Sequence, residues 1–132
     1  IQGLGLHNHF DGFGKFPRVG NDAETRAGLS WRVHVLPYME ENQLHASFDL
    51  ESGWDSPTNR NLVSRRPGDF ETLLVDVPSD STVYLSPVSS LPSQTTQIGI
   101  EGDGVRFAEI TDGTSNTLMI VLADASTVQG PW

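Results

Sequence analysis

Ile1-Gln2-Gly3-Leu4-Gly5-Leu6-His7-Asn8-His9-Phe10-Asp11-Gly12-Phe13 opens the chain. Ile1, Leu4, Leu6, Phe10 and Phe13 fall roughly along one helical stripe, which Gly3 and Gly5 weaken. Gly12 and Gly14 close the pattern, and Pro17 enforces the stop. The stripe is already in phase at residue 1, with no capping residue before it. The spacing therefore predicts a helix over residues 1–12 that continues one begun further upstream. This prediction decides how the rest is read, because a leading helix calls for something to pack on.

Residues 18–29 are polar and loop-like. Ser30 then offers an N-cap before Trp31, Val35, Tyr38 and Met39, spaced i, i+4, i+7, i+8. The same stretch also alternates, with Trp31, Val33 and Val35 against Arg32 and His34, as a strand does. The expectation is a short helix, a break near Pro37, and a second helical turn from Glu40 to Ala46. Asp55-Ser56-Pro57 places a capping side chain before a proline at the first helical position, and predicts a helix to about Arg66, stopped by Pro67-Gly68. Beyond it the chain turns to β: Phe70–Val77, Thr82–Leu85, Gln97–Ile100 and the apolar run Thr117–Ala123. Loops separate these at Pro78-Ser79-Asp80, Ser86–Ser93, Gly102-Asp103-Gly104 and Asp112-Gly113. Helices first and strands afterwards indicate an α+β class with an antiparallel sheet, as one domain over residues 1–132.

Composition narrows the function classes. The 132 residues carry a formal charge of −9, with Lys15 the only lysine beside seven arginines. Nucleic acid and anionic membrane surfaces both need clustered cations, so neither is an expected partner. Gly 13 and Pro 8 with 36% hydrophobic residues indicate a loop-rich fold with modest regular structure. The absence of cysteine removes disulfides, thiolate zinc sites and cysteine nucleophiles. No apolar run is long enough to span a bilayer.

Candidate chemistry is sparse. His7, His9, His34 and His45 raise zinc, but on a helix His7 and His9 point to different faces, and no H-E-x-x-H is present. The many carboxylates, Glu40-Glu41, Asp49, Glu51 and Asp55 among them, read as a solvated face and helix caps. Asp103 and Asp112 sit in glycine turns of a kind able to hold calcium, although the D-x-[DN]-x-[DN]-G pattern is missing and an Asp-Gly turn explains them as well. There is no G-x-S-x-G, S-x-x-K or phosphate-binding loop. Trp31, Tyr38, Trp54, Tyr84 and Trp132 are able to stack on sugar rings but more simply fill a core or groove. No residue is assigned a catalytic, cofactor or metal role, and calcium at Asp103 and Asp112 is the one metal left open.

Three phrases carry a resemblance. Ile1–Asn8 leading to Gly14-Lys15-Phe16-Pro17, then Ser30-Trp31-Arg32-Val33 through Leu36-Pro37-Tyr38-Met39-Glu40 with Trp54-Asp55-Ser56-Pro57-Thr58-Asn59, then Ile110-Thr111-Asp112-Gly113-Thr114-Ser115-Asn116-Thr117, resemble in order the blocks of a bacterial family of prepilin-like exported proteins. That family carries a domain-of-unknown-function label and, in some catalogues, a solute-binding one. Where it usually has Arg-Cys-Pro-Ser-Asp, this chain has Val77-Pro78-Ser79-Asp80, without the thiol. The resemblance implies export, an N-terminal anchor helix ahead of residue 1, and a pilin-like head whose first helix lies on an antiparallel sheet. Leu4, Leu6 and Phe10 would make that contact, at roughly 1.5–3 kcal/mol each. The expected role is a non-enzymatic structural subunit of a cell-envelope, pseudopilus-like assembly. Its partners would be other subunits or further copies of itself, with membrane contact only through the anchor. The alternative is an extracellular carbohydrate- or solute-binding module, with a pocket containing Trp31 or Trp54.

Overall fold

The computed structural model describes residues 1–17, 28–89, 99–100, 104–111, 113–124 and 130–131. The first helix, α1 (Gln2–Phe13), forms where the stripe predicts it. It ends at Gly14, whose φ of 72° and ψ of 7° are left-handed and whose N–H donates to the Phe10 carbonyl at 2.7 Å. Its buried face differs from the expected one. Gly5, Leu6 and His9 are buried, whereas Leu4 and Phe13 are 63% and 65% exposed.

The partner of α1 also differs. Its main packing is against α2 (Trp31–Val35) and the 3₁₀ turn Leu36–Met39, not against a strand. Gly5 faces this contact, and a Cβ there would lie at ordinary van der Waals distance, 3.4 Å from Met39 Cγ and 3.5 Å from Val35 Cβ. Val35 and Leu36 are fully buried beneath it, each contributing about 1.5–3 kcal/mol.

Local chemistry accounts for the next elements. The Ser30 hydroxyl accepts from the Arg32 N–H at 3.3 Å and starts α2, so the helical reading of this stretch holds. Pro37 falls in the first turn of Leu36–Met39, where its missing N–H has no partner to lose. Glu40 at φ 62° reverses the chain into α3 (Asn42–Ser47). Ser56 caps α4 (Pro57–Arg60) by accepting from the Asn59 N–H, and a 3₁₀ turn at Val63–Arg65 carries the chain to Pro67.

Strands follow the helices, as expected for α+β, but they are short. Among the described residues β1 (Ser81–Thr82) pairs antiparallel with β6 (Gly130–Pro131), and β2 (Tyr84–Leu85) antiparallel with β5 (Val121–Leu122). In a third ladder β3 (Val88–Ser89) lies parallel to β4 (Gly99–Ile100). The strand expected over Phe70–Val77 is not formed. Phe70 ends a 3₁₀ turn, Gly68–Phe70, and Leu73 and Leu74 are 102% and 77% exposed. Neighbouring leucines that both face solvent have no apolar face to bury, so β-propensity has nothing to act on there. In Thr117–Ala123 only Val121 and Leu122 join the β2–β5 ladder.

Polar side chains fasten the strands to the helical half. The Arg32 guanidinium, buried and beside the Trp31 ring at 4.9 Å, donates to Ser30 Oγ at 2.8 Å and to the Tyr84 carbonyl. Arg66 donates to the Pro78 carbonyl at 2.8 Å and to the Ser81 carbonyl, and pairs with Glu71 at 3.3 Å. Thr82 Oγ1, buried, donates to the Phe70 carbonyl at 3.1 Å. Asn59, with no exposed surface, does the same for the loop before α4: Oδ1 accepts from the Asp49 N–H, and Nδ2 donates to the carbonyls of Asp49, Ser52 and Gly53.

Two glycines differ in their expected response to substitution. Gly5→Ala meets only ordinary van der Waals neighbours inside a helix and is expected to leave stability unchanged or raise it by up to about 1 kcal/mol. Gly113 would meet only Asn116 Nδ2, at 3.9 Å, but sits at φ 84°, so Gly113→Val is expected to lower stability by about 1–3 kcal/mol. Urea unfolding of both variants beside the parent checks this, and a Gly113→Val curve superimposed on the parent's removes the turn assignment.

Candidate functional site

An aromatic cluster joins α1 to the segment after Gly104. Phe10 and Phe107 have ring centroids 4.0 Å apart, and Phe16 stands edge-on to Phe107 at 5.2 Å. Such offset and edge-to-face pairs each add about 0.5–1.5 kcal/mol beyond the area they bury. His7 extends the cluster outward: its ring stacks on Phe107 at 5.8 Å and meets Phe16 edge-on at 5.9 Å. The backbones are fastened alongside, the Phe16 N–H donating to the Val105 carbonyl at 2.8 Å.

Between these rings and the following turn lies a cleft of about 230 Å³, lined by His7, Phe16, Phe107, Ile110, Thr114, Ser115, Thr117 and Met119. Phe16 and Ile110 form its buried floor, while His7, Thr114 and Ser115 are exposed at its rim. The hydroxyl rim is set by Gly113. Its positive φ starts the 3₁₀ turn Thr114–Asn116, and its carbonyl accepts from the Asn116 N–H at 3.1 Å and from Thr117 Oγ1 at 3.0 Å. No Asp, Glu, Lys or Arg side chain lines the cleft among the described residues.

The histidines separate as a helix requires. His7 turns to the cleft, while His9 turns inward, packed on Phe13 at 4.6 Å and near Tyr38 at 6.2 Å. A carbonyl can only accept, so His9 Nδ1 carries the proton it donates to the Lys15 carbonyl at 3.0 Å. Burial holds the His9 pKa below the usual imidazole range, and the Lys15 charge adds to this against the opposing effect of the Lys15 carbonyl. His45 is lowered by burial too, and burial brings Arg32 down to about 10. Among the described residues no three His, Asp or Glu side chains gather in a way able to hold a metal ion. Asp103 and Asp112, where calcium was left open, lie outside the described residues.

The aromatics singled out for stacking are elsewhere. Trp31 is in the core, edge-on to Phe70 at 6.0 Å, and neither it nor Trp54, 44% exposed, lines the cleft. Trp132 lies outside the described residues. The cleft was therefore not anticipated as a site. Its signal was present in part: His7, Phe16, Ile110, Thr114, Ser115 and Thr117 all belong to the quoted blocks around residues 1–17 and 110–117. Phe107 and Met119 had none.

Residues 2–100 match the family SBP_bac_10, described as a protein of unknown function (DUF1559), and the chain belongs to that family. Comparison with curated proteins and with solved structures gives no match.

Burial of neutral His9 sets a pH dependence. Its folded pKa lies below the unfolded value of 6.5, so below pH 6.5 the unfolded chain binds the proton more readily and folding loses stability. Stability from this residue is complete above pH 6.5, falls as the pH drops through that value, and levels below the folded pKa. The difference in unfolding free energy between parent and His9→Gln is expected to shrink from pH 7.5 to 5; a constant difference contradicts it.

Proposed function

From membership of this family, we propose that the chain is a non-enzymatic structural subunit of an extracytoplasmic, pseudopilus-like assembly in the cell envelope. The observation that carries the reading is the exposure of three apolar residues close in sequence to the contact between α1 and the Thr117–Ala123 segment. A Cβ at Gly3 would lie 4.0 Å from Met119 Sδ, so the first turn of α1 and this segment adjoin. Around that contact Ile1 is 76% exposed, Leu4 63% and Leu118 61%. Single exposed leucines are ordinary, but apolar residues gathered at the junction of two elements suit a protein partner. The order of the three prepilin-like blocks supports export and envelope association. Among the described residues no helix is long and apolar enough to cross a membrane, so membrane contact on this reading belongs to a segment outside them. The acidic surface favours protein partners over nucleic acid.

The cleft favours a second reading, an extracellular solute-binding module, in line with the solute-binding label the family also carries. The two readings use different surfaces and are separable. Chemical cross-linking in the native cell, followed by fractionation and blotting, is expected to show the protein in envelope fractions within higher-mass adducts. Leu4→Glu is expected to reduce those adducts several-fold while leaving the melting temperature close to the parent's, because Leu4 is exposed. A monomer confined to the cytoplasm, or adducts indifferent to Leu4→Glu, contradicts the assembly reading.

A further inference from the structure

We propose that the cleft between α1 and the Phe107–Met119 segment binds a neutral, single-ring aromatic molecule bearing a hydroxyl group. This inference rests on the solute-binding reading and not on the assembly one. Size comes first. The cleft encloses about 230 Å³, and an apolar cavity of about 150 Å³ is enough for benzene, so one substituted ring fits and two do not.

The lining then selects the chemistry. His7, Phe16 and Phe107 already pack by stacked and edge-on contacts, and a guest ring joins such a cluster by the same offset geometry. Ile110 and Met119 supply the remaining apolar wall. Besides the His7 imidazole, the polar groups of the lining are the hydroxyls of Thr114, Ser115 and Thr117, which follow one another in the turn after Gly113. The Thr117 hydroxyl proton is committed to the Gly113 carbonyl, which leaves its oxygen free to accept. A ring with one hydroxyl matches this lining: the apolar edge meets the aromatic wall and the hydroxyl meets the Thr114–Thr117 turn.

Two competing classes fit less well. An ionised ligand would lose hydration in a lining that holds no Asp, Glu, Lys or Arg among the described residues. A sugar carries hydroxyls around most of its edge, and many of them would be turned against Phe, Ile and Met side chains without partners.

Titration of the ¹⁵N-labelled protein with p-cresol, toluene and glucose, followed through amide shifts, tests this. The expected result is saturable p-cresol binding with shifts centred on His7, Phe107, Thr114 and Ser115. The double variant Thr114→Val, Ser115→Ala is expected to bind p-cresol about tenfold more weakly, the size of one lost hydrogen bond, and toluene as the parent does. Both side chains are exposed, so the variant's melt serves as a check that it folds. Equal p-cresol affinity in parent and variant overturns the hydroxyl recognition. Glucose saturating the same amides while p-cresol does not overturns the ligand class and leaves solute binding standing. No saturable shift with any of the three overturns the proposal and removes solute binding from this cleft.

Discussion

At Gly104 the backbone runs directly against the carbonyl of Phe16, so closely that a Cβ on Gly104 would collide with that oxygen. The residue also sits at φ 84°, a conformation L side chains resist. This close approach and the adjacent Phe16–Val105 hydrogen bond join stretches nearly ninety positions apart in the chain. The aromatic side of the cleft follows from that joint. It brings Phe107 onto Phe10 and Phe16, sets His7 over Phe107, and delivers Ile110 and the Gly113 turn to the opposite wall.

The rest of the fold is a helical core to which short strands are attached by polar side chains more than by a continuous sheet. Two-residue ladders carry few backbone hydrogen bonds and little apolar area of their own. Arg32, Arg66 and Thr82 supply the link: the two arginines reach from the helical half to carbonyls of the strands or the turn beside them, and Thr82 reaches back from β1 to the Phe70 carbonyl. Arg32 does so from a buried position where its Nε has no hydrogen-bond partner, and the lowered pKa records the desolvation this entails. Among the described residues no carboxylate pairs with it, so its charge is balanced by a hydroxyl, a carbonyl and the Trp31 ring.

What was legible in the sequence was local. Ser30, Ser56-Pro57 and Gly14 act within one helical turn of themselves, and each starts or stops a helix where the pattern places it. The order of helices and then strands, and so the α+β class, follows from such signals. Readings that depended on distant partners fared differently. Leu4 belongs to the stripe by spacing, but the body of the protein lies against Gly5, Leu6 and His9, and an apolar tally does not count glycine or histidine as a face. Phe70–Val77 has strand-like residues without a strand to pair with. The cleft needed Phe107 and Met119 brought to His7, the first through the Gly104 joint and the second beside the β2–β5 ladder; the rim hydroxyls were visible as a motif but not as a wall.

The cleft and its walls therefore depend on the Gly104–Phe16 joint holding the two stretches together. Urea unfolding of the Gly104→Ala variant tests this most directly. One methyl group removes no interaction and buries no charge, so any effect comes from the clash and the left-handed backbone. The expected loss is at least about 2 kcal/mol, the scale of backbone strain that the surrounding structure no longer overcomes. A Gly104→Ala unfolding curve that superimposes on the parent's would show that the chain does not pass so close to Phe16, and that the cleft walls are not joined there.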